Sequence, residues 1–199
     1  MTRLLLATTN RGKIREYRNL LRGLPFELVT PDEAGIDIDV EENCPSYEEN
    51  ARKKANAYAR ASHLITLADD SGLEVDVLGG EPGIRSARAA GEAASDKERI
   101  EHLLARLKDI PLEKRTARFK CVIAIATAEG RTELCHGECP GLIALEPRGE
   151  NGFGYDPVFY FPEFKKAMAE LPLDTKNRIS HRGKAARKAY RLLGRSQKK

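Results

Sequence analysis

The chain has no acidic residue after Asp174, no Cys-x-x-Cys pair, no internal repeat and no apolar run approaching membrane-spanning length. Each absence excludes something. The N-terminus offers only Leu4, Leu5, Leu6 and Ala7 before turning polar at Thr8, so neither a signal peptide nor a membrane anchor is expected, and the expected location is cytoplasmic. Cys44, Cys121, Cys135 and Cys139 read as reduced thiols in that setting. A zinc site built on Cys135, His136 and Cys139 lacks an evident fourth ligand, and the alternation around them reads as a strand.

What is present is enough for a real core. The 199 residues are 41% hydrophobic, which fits one globular domain over 1–199. All 30 acidic residues but only 24 of the 34 Lys and Arg fall in the first 174 positions, leaving that stretch at net −6 within a chain of net +4. The basic end, Arg195 to Lys199, reads as a solvated face, and no stable nucleic-acid partner is expected.

Patterning predicts a strand at Arg3–Thr8, a helix carrying Ile14, Tyr17, Leu20 and Leu21 on one face, and a strand at Phe26–Thr30. Pro31–Cys44 reads as acidic and irregular. Ser46 with Glu49 and Ser95 with Glu98 have capping-box spacing, which starts one helix running to about Ser62 and another carrying Ile100, Leu103, Leu104 and Leu107. Leu64–Ala68 and Leu73–Leu78 read as strands flanking an Asp-Asp-Ser-Gly turn, with a long loop at Gly79–Ala94. A hairpin of Thr116–Thr127 and Arg131–Glu138 follows, then strands at Gly141–Leu145 and Val158–Phe161, a short helix near Glu163–Leu171, and a last helix from about Lys184 to Leu193. Helices alternating with strands early and strands clustering late predict an α/β fold, a mixed central sheet flanked by helices.

Four stretches carry chemistry. Thr8-Thr9-Asn10-Arg11-Gly12-Lys13 lies between a strand and a helix, where backbone amides and a lysine together favour a phosphate. It is not a Walker loop, since Ala7 and Ile14 stand where that motif requires a glycine and a hydroxyl. The plain alternative is an N-cap followed by a surface lysine. Glu41, Glu42, Asp69 and Asp70 stand at element boundaries; clustered carboxylates beside phosphate-binding groups suit Mg²⁺, although the glutamates could equally serve the dipole of the helix at Ser46. Asn151-Gly152-Phe153-Gly154-Tyr155-Asp156-Pro157 alternates glycine with aromatics, which lets a backbone approach a flat ligand while a ring stacks on it; core packing is the competing reading. Lys176-Asn177-Arg178-Ile179-Ser180-His181-Arg182-Gly183 supplies donors for phosphate or keto oxygens.

These motifs, with Glu49-Asn50-Ala51, occur in the order found in the Ham1 family of inosine triphosphate pyrophosphatases, and the sequence resembles that family over nearly its whole length. The resemblance implies two lobes with an active-site cleft between them and a homodimer. It implies Mg²⁺-dependent hydrolysis of non-standard purine nucleoside triphosphates, namely ITP, dITP and XTP, to the monophosphate and pyrophosphate, which cleanses the nucleotide pool. Thr8, Thr9, Asn10, Arg11, Gly12 and Lys13 resemble the substrate loop. Glu42, with Glu41 beside it as the alternative, and Asp70 match the metal-binding carboxylates. Asp70 is also the matching proton acceptor, and Lys13 and Lys54 match the lysines on the triphosphate. Ser71, Phe153, Gly154, Tyr155, Asp156, Lys176, His181 and Arg182 match substrate-binding positions.

Two rivals fit less well. A haloacid-dehalogenase-like phosphatase wants a second aspartate two residues after the nucleophile, and Ser71 stands there after Asp69. A nucleic-acid-binding module built on the basic C-terminus leaves the acidic first 174 residues without a role.

Overall fold

A computed structural model describes residues 2–196; Gln197 to Lys199, the end of the basic tail, lie outside the described residues. The strands form one mixed sheet in the order β2-β1-β3-β5-β6-β7-β8, with β4 paired to β3. The described residues divide into two compact units, the first made of 2–70, 121–137 and 181–196 and the second of 71–120 and 138–180.

In the first unit, β1 (Thr2–Leu6) pairs in parallel with β2 (Phe26–Val29) and with the start of β3 (Ile65–Val75). The helix α1 (Arg11–Leu20) begins where the Asn10 side chain accepts from the Lys13 N–H, satisfying one of the amides a helix start leaves open. The segment Pro31–Ala34, expected to be irregular, is a short helix α2, because Thr30 and Glu33 form a complete capping box and proline occupies the first turn. Ser46 caps α3 (Tyr47–Ser62), which buries Ala51, Ala55, Tyr58 and Ala59.

The core of this unit joins Leu4, Leu6 and Leu67 with Tyr17 and Leu21 of α1 and with Cys121, Ile123 and Cys135 from β5 (Thr116–Ala126) and β6 (Thr132–Ile143). Ala185, Ala186, Ala189 and Leu193 complete it from the last helix, α6 (His181–Ser196). That helix starts at His181, not at Lys184, because Gly137 clears its path: a Cβ there would overlap the His181 carbonyl and the Ala185 amide.

At Asp-Asp-Ser-Gly, where the chain passes from the first unit to the second, the expected turn is absent and β3 runs unbroken. The pairing explains this. Leu73 and Glu74 lie opposite Gly83 and Pro82 of β4 (Pro82–Gly83), and the Ser86 hydroxyl accepts from the Leu73 N–H at 2.8 Å. The long Gly79–Ala94 loop is thus tied down. The Ser95/Glu98 capping box forms in full at the start of α4 (Asp96–Arg106), which packs Ile100 and Leu103 against Leu73, Val75, Phe119 and Phe159.

Buried Arg115 collects the Leu107, Ile110 and Ala144 carbonyls, tying the turn after α4 to the end of β6. The strand β6 continues to Ile143 where two strands were expected, and it separates Cys135 from Cys139, each in a different core. Among the described residues no group of three or more His, Cys, Asp or Glu could hold a metal ion, so the zinc reading falls. The strand β7 (Phe159–Phe161) pairs antiparallel with β6 and with β8 (Lys166–Ala167). In place of the helix expected near Glu163–Leu171 there is β8 and a short 3₁₀ turn, and an unforeseen helix α5 spans Leu173–Ile179.

Candidate active site

The continuity of β3 decides how its two aspartates are used. Adjacent strand residues point to opposite faces, so Asp69 and Asp70 have different neighbours. Asp69, 1% exposed, meets Lys13 Nζ at 3.1 Å through one oxygen and Arg182 at 3.4 Å through the other. Arg182 also donates to Glu16 Oε2 at 2.8 Å and lies over the Tyr17 ring. Burial alone would raise the Asp69 carboxyl, but Lys13, Arg182 and Lys54 outweigh it and hold the group well below the usual carboxylate range.

Asp70 sits in the opposite balance. Burial pushes it up, a hydrogen bond from Asn50 Nδ2 at 3.0 Å pulls it down, and the charge of Glu42 pushes up again, leaving it at about 6. Two neighbouring carboxylates are thereby divided, one locked as an anion and one poised to exchange a proton near neutral pH.

The rest of the first-unit site hangs on α1 and α3. Thr8 accepts from the Asn10 N–H at 3.2 Å, which shapes the turn into α1; Thr9, Asn10 and Arg11 are exposed there, and Gly12 is half-buried. Lys54, buried on α3, pairs with Glu42 at 2.6 Å. The preceding residue, Lys53, holds the Glu41 carbonyl and the Asn43 side chain at 2.7 and 2.9 Å. Asn50 does double duty: its oxygen accepts from the Cys44 N–H at 2.9 Å while its nitrogen reaches Asp70, so one side chain links the acidic loop to β3.

The donor set is hard oxygen. Glu42 and Asp70 repel each other, which a cation would relieve, and Mg²⁺ binds through one or two carboxylates with water and substrate phosphates filling its remaining positions. The pair fits such an ion.

In the second unit Lys176 and Asp156 form an ion pair, both almost completely buried. Asp156 Oδ2 also accepts from the Phe153 N–H at 2.9 Å, and Lys176 Nζ lies 5.0 Å from the Phe153 ring centre. Gly152, at φ +81°, admits no side chain, because a Cβ would overlap the Asp156 carboxylate. Tyr155 is buried, with its hydroxyl donating to the Ser86 carbonyl at 3.1 Å; Gly154 is half-buried.

Lys13, Asp69 and Arg182 are thus brought together, as are Lys54, Glu42 and Asp70, and Phe153, Asp156 and Lys176. The Lys176–Arg182 motif does not act as one patch, since Lys176 binds in the second unit and Arg182 in the first. His181 is buried at the start of α6, and Ser71 is half-buried on β3. Sequence reasoning missed Glu16. Its signal was an acidic residue one turn from Lys13 on the face that buries Tyr17.

A fold of this kind, with carboxylates and lysines around one strand, belongs to the α/β enzymes. A model of the Ham1 family matches residues 4–192, and the chain belongs to that family. It is 49% identical over 193 residues to the dITP/XTP pyrophosphatase of Desulforamulus reducens, covering 97% of this chain and 96% of that protein. It is 45% identical over 193 residues to the dITP/XTP pyrophosphatase of Bacillus subtilis, covering 97% and 98%. Among solved structures, a HAM1 protein from Coxiella burnetii superposes with a TM-score of 0.87 at 42% identity, covering 97% of this chain and 98% of that one. The Ham1 protein of Staphylococcus aureus gives 0.86 at 41% identity over the full length of both.

Proposed function

We propose that this chain is a nucleoside triphosphate pyrophosphatase that hydrolyses dITP, XTP and ITP to the monophosphate and pyrophosphate. The observation that carries the reading is the unlike pair on β3. Asp70, near 6, can accept the proton of a water attacking the α-phosphorus, while Asp69 stays ionised and orients Lys13. Each lysine ammonium has three donors, of which its ion pair takes one. Lys13 and Lys54 therefore stabilise charge developing on the phosphates, with the Thr8–Gly12 turn bringing them to the N-terminus of α1. Mg²⁺ is the proposed metal, held by Glu42 and Asp70, and would neutralise phosphate charge and acidify a bound water.

The base falls to Phe153, Gly154, Tyr155, Asp156 and Lys176, with Ser71, His181 and Arg182 as further substrate-binding positions in the same proposal. Arg182 reaches that role through Asp69 and Glu16, since it is itself almost wholly buried. Donors aimed at a 6-keto oxygen would be left unpaired by the 6-amino group of adenine, which is how such a site discriminates. One domain over 1–199, a homodimer and a cytoplasmic location complete the proposal. Among the described residues no helix is long and apolar enough to cross a membrane. The test is turnover of ITP, XTP, dITP and ATP in Mg²⁺ with product identification. Pyrophosphate from the first three and little reaction with ATP are expected; orthophosphate, or equal turnover of ATP, would refute the assignment.

A further inference from the structure

The loop given the base above is held by three bonds of different origin. Phe153 N–H is taken by Asp156 and the Tyr155 hydroxyl by Ser86, while the Gly154 N–H donates to Asp96 Oδ2 at 2.6 Å from 58 residues away. Gly154 has φ +61°, a left-handed conformation, at the middle of the Phe-Gly-Tyr run. Its one backbone donor is thus fixed by a side chain on α4.

Asp96 is the first residue of that helix, where an acidic residue ordinarily serves the helix itself. Here the capping box is complete without it. The Ser95 hydroxyl accepts from the Glu98 N–H, and the Glu98 carboxylate accepts from the Ser95 N–H and hydroxyl at 2.7 and 2.8 Å. The Asp96 carboxylate instead bridges outward, one oxygen on Gly154 and the other on Arg99 Nη1 at 2.7 Å one turn along, which fixes its rotamer.

We infer that Asp96 is a positioning residue for the Phe153–Tyr155 loop and, through it, a determinant of the choice between 6-keto and 6-amino purines. The inference rests on the proposed function. A loop pinned at Gly154 keeps the Phe153 ring and the Lys176 ammonium beside it in one arrangement, and discrimination by a donor left unpaired depends on that rigidity.

The experiment compares kcat and KM for ITP and ATP in the wild type, Asp96→Ala, Asp96→Ser and Ser95→Ala, with thermal melts of each. Asp96→Ala should raise KM for ITP about tenfold with kcat within about threefold, and narrow the ITP-over-ATP ratio of kcat/KM about tenfold. Asp96→Ser suits a helix start but is too short to reach Gly154; it should show the same losses and carries the test if the alanine variant does not fold. Ser95→Ala weakens the helix start without touching Gly154, and should lower Tm by a few degrees with KM and selectivity kept. Wild-type KM and selectivity in the Asp96 variants would overturn the inference, as would Ser95→Ala reproducing their losses. Wild-type protein inert toward ITP would bring down the proposed function as well.

Discussion

The two units solve different problems with the same kinds of side chain. In the first, Lys13 and Arg182 share Asp69, Arg182 also takes Glu16, and Lys54 pairs with Glu42, a network that runs over α1, β3, α3 and α6. In the second, Lys176 and Asp156 pair beside the Phe153 ring and Asp156 also holds the Phe153 N–H, so one buried pair shapes the loop proposed to take the base. One set of charges is spread over several elements around the proposed phosphate site; the other is concentrated in one buried pair that fixes the loop proposed to take the base.

Substitutions can break that contrast. Asp70→Asn keeps the volume and the hydrogen-bonding reach but removes the proton acceptor, so kcat should fall about a thousandfold with Tm nearly kept. Retained turnover in single-turnover assays would place the base elsewhere. Lys176→Met should add a loss of stability to a rise in KM: removing one partner of a buried pair leaves the Asp156 carboxylate without its counter-charge and should cost about 3 kcal/mol in urea unfolding.

The pH dependence separates the two β3 aspartates. Asp70 must be ionised to accept a proton and to hold the metal, so kcat/KM should fall on acidification; the carboxyl lies at about 6 in the metal-free protein, and bound Mg²⁺ would move the fall to lower pH. Because its folded value lies above the ordinary 3.8, the same group binds its proton more tightly in the folded state and favours folding as pH falls from about 6 toward 4. Asp69, shifted down, contributes stability above its ordinary value that is lost only on further acidification. Activity and the Asp70 contribution to stability therefore move in opposite directions on acidification, which kinetics in Mg²⁺ and melts of the metal-free protein will show. The smallest effect is expected far from both charge systems: Thr30→Ala, which opens the α2 capping box, should cost about 1 kcal/mol in stability and leave turnover unchanged.

The sequence was most readable where a local signal matched the final partner. Ser46 and Ser95 announce α3 and α4, and each hydroxyl does accept the amide three residues on. Asp-Asp-Ser-Gly was misread as a turn because its local chemistry is turn-like, whereas its strand conformation is set by distant β4 and by Ser86. That error also hid the division between Asp69 and Asp70, which follows only once the strand is continuous. Glu16, Asn50 and Asp96 act across long sequence separations, 166 residues for Glu16 to Arg182, so spacing alone carries no sign of their partners. Charge motifs told which residues matter; the sheet told which of them meet.

The central claim is that water attacks the α-phosphorus, and isotopic labelling tests it most directly. Hydrolysis of ITP in ¹⁸O water should place the label in inosine monophosphate and leave the pyrophosphate unlabelled; label in the pyrophosphate would contradict the account.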